Sequence, residues 1–296
     1  AASDVYKRQK LCSINTQMQY LPKQDGGILR NYNSAKFFIK TCSPQWVRVY
    51  NEIKKVHNER ELDIQKSQLL LGAYKDVDVV IKIGDTPDIE NEYTISQHIY
   101  KYKGFVKFMC HFTCDDDFRE FFNGKRTNIC KGPGNSMKVI IMPYFDLGSI
   151  AGFAWINTNV HILRSCLYIA CMCYIDAYNA CGFIHNDFHS ANILLKRTKQ
   201  KTLKFTHCDI NVDLYGIRPW IMDFEKSIIM PHSSKGYQDF KFDIAKIFFT
   251  LPSLNKNISN ASVLNIVTFI QNTGDICTSN ACKQLYNIIN TNIQIV

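Results

Sequence analysis

The sequence predicts an α+β fold in two lobes, a smaller strand-rich lobe followed by a larger, mainly helical one. Three observations carry this. The 296 residues allow one large or two small domains. Strand-like apolar runs dominate up to about residue 145, and helical spacings dominate after Gly148. Hydrophobic residues make up 46% and charged residues 21%, which suits a packed core and excludes a disordered chain.

The elements follow in order. Residues 1–9, AASDVYKRQ, are expected to be a non-native leader, and 10–64 an N-terminal extension. Within the extension, Trp46, Val49, Ile53 and Val56 have helical spacing over 44–58. Leu69 to Ile83 reads as two strands around a turn near Tyr74–Asp76. Asp88 to Tyr102 reads as a helix, with Ile89, Ile95, Ile99 and Tyr102 on one side. Residues 104–112 and 137–145 are strand-like, with a polar loop between them. The smaller lobe is thus assigned to 65–144 and the larger to 145–296.

In the larger lobe, 158–181 predicts a long apolar helix. GFIHNDFHSANILLK is a loop entering a strand, and 196–204 a basic linker before a second strand, RPWIMDF. Helical patterns follow at 239–251, 259–273 and 279–292. About 45 residues follow the helix predicted over 239–251, so a compact or truncated lobe is expected.

The net charge is +9, from 35 Lys and Arg against 26 Asp and Glu, which favours anionic partners without naming one. The basic run Lys196, Arg197, Lys199, Lys201 and Lys204 has no interleaved aromatics before Phe205. It reads as a solvated connection and not as a nucleic-acid surface. Twelve cysteines include no C-x-x-C pair, and four cluster between Cys166 and Cys181. They read as reduced core residues of an intracellular, cytoplasmic protein. Cys110, His111 and Cys114 alternate faces in a strand and do not suit one metal. The apolar run Cys166–Ile175 is short for a bilayer span, so no membrane partner is expected.

The chemistry concentrates in His185-Asn186-Asp187-Phe188-His189-Ser190-Ala191-Asn192, and in Asp223 at the end of Trp220-Ile221-Met222. One carboxylate for a reacting hydroxyl, with a separate Asn and Asp offering hard oxygens, suits magnesium-dependent phosphoryl transfer. Upstream, Lys82 stands alone in the apolar strand Val79-Val80-Ile81, and Glu90 or Glu92 of the next helix could hold it. A lysine fixed by a carboxylate is a positive point charge for phosphate oxygens.

These residues resemble the protein kinase superfamily. V-V-I-K resembles V-A-I-K, H-N-D-x-x-x-x-N resembles H-R-D-x-x-x-x-N, and Met222-Asp223-Phe224-Glu225 stands where D-F-G would be. Met142 to Ser149 resembles the hinge between lobes, and Phe242-Asp243-Ile244 the helix supporting the catalytic loop. The likeness covers about residues 65–251. It looks closest to divergent, haspin-like Ser/Thr protein kinases of large DNA viruses, and is also similar to choline and ethanolamine kinases.

The resemblance implies ATP and Mg2+ between two lobes. Asp187 would be the base, Asn192 and Asp223 the metal ligands, and Lys82 with Glu92 the α/β-phosphate clamp. Met142 and Tyr144 would lie by the adenine. Gly72 would be the remnant of the glycine-rich loop, and His189 would donate to the γ-phosphate. It implies a Ser/Thr protein hydroxyl as acceptor, with a small alcohol as the rival, in a host cell or virion. A pseudokinase acting as a binding module is the non-enzyme alternative, favoured by the thin glycine loop. Asn186 replaces the H-R-D arginine, so phosphorylation at Ser227, Ser233, Ser234 or Tyr237 is not expected to switch activity, and replacing all four is expected to leave it intact.

Overall fold

The computed structural model describes residues 67–74, 77–84, 86–113, 138–254 and 258–295. The predicted helix at 44–58, the leader and extension, and the polar loop after residue 113 lie outside them. The described residues form an α+β fold in two compact units, a smaller strand-rich one and a larger, mainly helical one that takes over for good from Phe145.

The smaller unit holds the described residues of 11–96 and 106–144. Its sheet is antiparallel, in the order β1 (Ser67–Tyr74), β2 (Val77–Gly84), β4 (Lys138–Pro143), β3 (Cys110–Thr113). Helix α1 (Thr86–Ile99) follows β2 directly. Pro87 falls in its first turn, where a missing N–H costs nothing, and Asp88 faces the positive end of the helix dipole. Lys82 lies in central strand β2, between Leu69 of β1 and Ile140 of β4. Val80 pairs with Met142, so Met142 shares the sheet face of Val80 and Lys82.

Two expectations change here. The helix stops at Ile99, three residues before Tyr102. The strand predicted over 104–112 is only Cys110–Thr113. Gly104, at φ 83°, breaks the extended run, and residues 104–105 belong to the larger unit. There the Gly104 carbonyl accepts from Ile221 N–H at 2.7 Å.

The larger unit is built around α2 (Val160–Cys181), whose buried residues run from Val160 to Tyr178. At 22 residues it is long and apolar enough to cross a membrane, which the shorter run Cys166–Ile175 did not suggest. In this fold it is a core helix, packed on β9 (Ile217–Ile221), β5 (Phe183–Ile184) and α6 (Ser279–Asn292). Gly182 ends it at φ 69°, donating to the Tyr178 carbonyl, and a Cβ there would strike the Met230 carbonyl.

The free cysteines Cys166, Cys171, Cys173, Cys208 and Cys282 are buried. Burial pushes the Cys173 and Cys282 thiols up to about 12, so they pack as protonated, unreactive groups.

The stretch expected to be a basic linker is structured. β6 (Ile193–Arg197) pairs with β9, and β7 (Thr202–Phe205) forms a hairpin with β8 (Ile210–Asp213). Leu203 and Phe205 face inward while Thr202 and Lys204 face water. A four-residue strand with a lysine on its wet face gives a weak periodic signal. A third small sheet pairs β5 with β10 (Ile228–Ile229). Helices α3 (Ser234–Phe249), α4 (Leu251–Leu254) and α5 (Asn260–Asn272) complete the unit with α6. Ser233, Ser259 and Thr278 cap α3, α5 and α6 through side-chain oxygens.

Candidate active site

In the smaller unit, Lys82 Nζ donates to Glu92 Oε2 at 2.6 Å, with both side chains buried. Glu90, two residues earlier, turns elsewhere: it lies 3.4 Å from Lys138 Nζ and 3.5 Å from His111 Nε2. The helical offset of two residues, near 200°, explains why these carboxylates point apart. Burial lowers the His111 pKa, opposed by Glu90. His111 stacks on Tyr93 at 4.0 Å. Gly72 sits inside β1, paired with Val79, and Tyr144 is half-buried just beyond β4.

In the larger unit, the loop from His185 to Asn192 hangs on buried polar anchors. Asp243 of α3 accepts from Phe188 N–H at 3.0 Å through Oδ1, and from the Tyr174 hydroxyl at 2.8 Å through Oδ2. That hydroxyl also accepts from His185 N–H at 2.9 Å. Lys246, one turn along α3 from Asp243, donates to the Asn186 carbonyl at 3.0 Å. His185 is fully buried: its Nδ1 accepts from Asp187 N–H at 3.3 Å, so Nε2 carries the proton and donates to the Met222 carbonyl at 2.9 Å. His185 is therefore the packed, orienting histidine that joins the loop to the Asp223 segment.

Asn192 is held from both ends. Its Nδ2 donates to the Asp187 carbonyl at 3.0 Å, and its own carbonyl accepts from Met222 N–H at 3.0 Å. Pairing of Ile193 with Ile221 thus brings Asn192 beside Asp223 across β6 and β9. Asn192 Oδ1 is buried with no hydrogen-bond partner among the described residues. An orphaned buried carbonyl oxygen is costly unless something else satisfies it. A hard oxygen next to a carboxylate fits magnesium. Two non-glycine residues at positive φ flank the site, Asn186 at 62° and Asp223 at 69°. Asn and Asp adopt this region more readily than other side chains, and such strain is commonly kept at functional positions.

Asp187 is partly exposed, with Lys226 Nζ 2.8 Å from Oδ2 and His189 Nε2 3.7 Å from Oδ1. Burial alone would raise its pKa. The hydrogen bond from Lys226 and the charges of His189 and Lys226 outweigh it and hold the carboxyl below its ordinary value. Burial lowers the His189 imidazole, with Asp187 opposing. His189 also caps the turn Ser190–Asn192, accepting from Ala191 N–H at 3.3 Å.

Sequence reasoning missed Lys226, Tyr174 and Lys246. The first appears only as one more lysine after D-F-E, and the others as a core tyrosine and a surface lysine of apolar helices. Three of the four hydroxyls considered as switch sites make bonds within the fold. Ser227 is buried and donates to the His185 carbonyl at 3.1 Å. Ser233 caps α3, and the Tyr237 hydroxyl accepts from Ile276 N–H at 2.6 Å. Replacing them would remove these structural bonds as well as the hydroxyls.

No protein-family model matches the chain, and no curated protein matches it in sequence. Among solved structures, it is similar to "WaaP in complex with acyl carrier protein", with 12% identity, a TM-score of 0.42, and coverage of 82% of this chain and 93% of that one.

Proposed function

We propose that this chain is an ATP- and magnesium-dependent phosphotransferase acting on a Ser or Thr hydroxyl of a protein. The observation that carries the reading is the buried Asn192 Oδ1, without a hydrogen-bond partner among the described residues, beside Asp223 on a loop that presents Asp187 to solvent. Asn192 and Asp223 would hold magnesium, which when bound neutralises phosphate charge. Asp187 orients the acceptor hydroxyl and takes its proton as the phosphoryl group leaves. Its depressed pKa keeps it ionised at neutral pH, ready to accept. Lys82, fixed by Glu92, supplies a positive charge to the α- and β-phosphates. Met142, on the same sheet face as Lys82, and Tyr144 would line the adenine end. Gly72 alone offers little backbone wrapping of the phosphates, so nucleotide affinity rests mainly on Lys82 and the metal ligands.

The test is transfer of labelled γ-phosphate from Mg-ATP by wild type and by Asp187→Ala. Acceptors are a mixed protein pool and, separately, choline, ethanolamine and aminoglycosides. Label on protein that falls by at least about 10³-fold in the variant supports the reading. Label on an alcohol instead moves the activity to small-molecule kinases. No transfer to any acceptor favours a pseudokinase.

A further inference from the structure

Two residues after Asp187 stands His189. It is a cap for the following turn, and burial lowers its pKa against the opposing pull of Asp187. The ammonium that meets Asp187 comes from 39 residues along the chain. Lys226 Nζ lies 2.8 Å from Asp187 Oδ2. The Lys226 main chain is tied to the same loop. Its carbonyl accepts from Asn186 Nδ2 at 2.9 Å, and the neighbouring Ser227 hydroxyl donates to the His185 carbonyl at 3.1 Å. Ser227 N–H closes the turn onto the Phe224 carbonyl at 3.0 Å. Yet the Lys226 side chain is 65% exposed. A lysine fixed at its root and solvated at its head can exchange one anion for another without rebuilding the loop. Asp223 and Glu225 also act electrostatically on it, so the ammonium stands beside the carboxylates of this site, where a phosphate group would meet it.

Building on the phosphotransferase reading, we propose that Lys226 is a further catalytic residue, whose Nζ passes from Asp187 Oδ2 to the γ-phosphate of the nucleotide. In the step, the bond from the γ-phosphorus to the β,γ-bridging oxygen breaks and its electron pair leaves on ADP. The acceptor oxygen bonds to phosphorus, and its proton goes to the Asp187 carboxylate. Lys226 remains protonated and offsets charge on the moving phosphoryl oxygens. Its departure also opens Asp187 Oδ2 to the acceptor hydroxyl.

The test compares wild type, Lys226→Ala and Lys226→Arg as full chains. Affinities for the non-hydrolysable ATP analogue AMP-PNP and for ADP, each with magnesium, are measured by calorimetry alongside kcat and KM. Lys226→Ala is expected to weaken AMP-PNP about tenfold while changing ADP less than about twofold, since only the γ-phosphate loses a charged partner. Its kcat should fall about 10²-fold. Lys226→Arg should restore most of the preference for AMP-PNP. Equal effects on both nucleotides, or none, would overturn the assignment of Lys226 alone. Wild type binding neither nucleotide would remove the phosphotransferase reading, and this inference with it.

Discussion

Lys82–Glu92 and Lys226–Asp187 are both ammonium–carboxylate pairs, at 2.6 and 2.8 Å. Their surroundings differ. The first is buried on both sides, between a central strand and a helix of the smaller unit. The second joins two loops of the larger unit, with the lysine 65% exposed. Near-equal distances therefore mean different energies. A buried pair has given up hydration on both partners and is costly to break. An exposed pair is screened by water and salt and is easily exchanged. The buried pair suits a fixed charge, and the exposed one a charge that must move.

The largest effect should come from breaking the buried pair. Glu92→Ala takes this carboxylate away from the Lys82 ammonium. Denaturant unfolding should show a loss of about 3–5 kcal/mol. Glu90→Ala is the control: its ion pairs are half-exposed, so its cost should stay below about 1 kcal/mol. If the two variants unfolded alike, Glu92 would not be the fixed partner described here.

A loss of the same order is expected where the loop meets α3. Asp243→Ala removes the acceptor of both the Phe188 N–H and the Tyr174 hydroxyl. Each buried donor left without a partner costs about 1–3 kcal/mol. Because those donors belong to the loop bearing Asp187, hydrogen exchange at Phe188 should accelerate in the variant along with global destabilisation. Protection unchanged at Phe188 would mean that the loop is held by other bonds.

These anchors show what the sequence could and could not disclose. Asp187, Asn192 and Asp223 are legible because the spacing H-x-D-x-x-x-x-N, followed by an apolar strand ending in Asp, places hard oxygens at the end of a two-stranded ladder. Asp243 is legible in its supporting role, and His185 in its packed one. The choice between Glu90 and Glu92 was not, because both follow Pro87 within one turn and a half, and only the direction of α1 against β2 selects one. Lys226 was invisible for another reason. Its contact spans 39 residues and joins two segments that each hold a residue at positive φ, Asn186 and Asp223. The hairpin of β7 and β8 was hidden by brevity, since four residues give two inward positions, Leu203 and Phe205, inside a run of lysines.

The smallest effect is predicted for the exposed pair, and it is where the comparison is sharpest. Lys226→Ala should cost less than about 1 kcal/mol at neutral pH, because the lysine is mostly solvated and the pair is screened. Burial would raise the Asp187 pKa, but Lys226, His189 and His185 together hold it below its ordinary value. A depressed carboxyl stabilises the fold above its unfolded pKa and loses that contribution as pH falls through its folded one. The gap between wild type and Lys226→Ala should thus be level from neutral pH down to about 5, and close below about 4. Raising salt toward about 1 M at neutral pH, where the Debye length is ~3 Å, should narrow it as well. A gap as large as that of Glu92→Ala, and indifferent to acid and salt, would make Lys226 a structural clamp and remove the contrast between the two pairs.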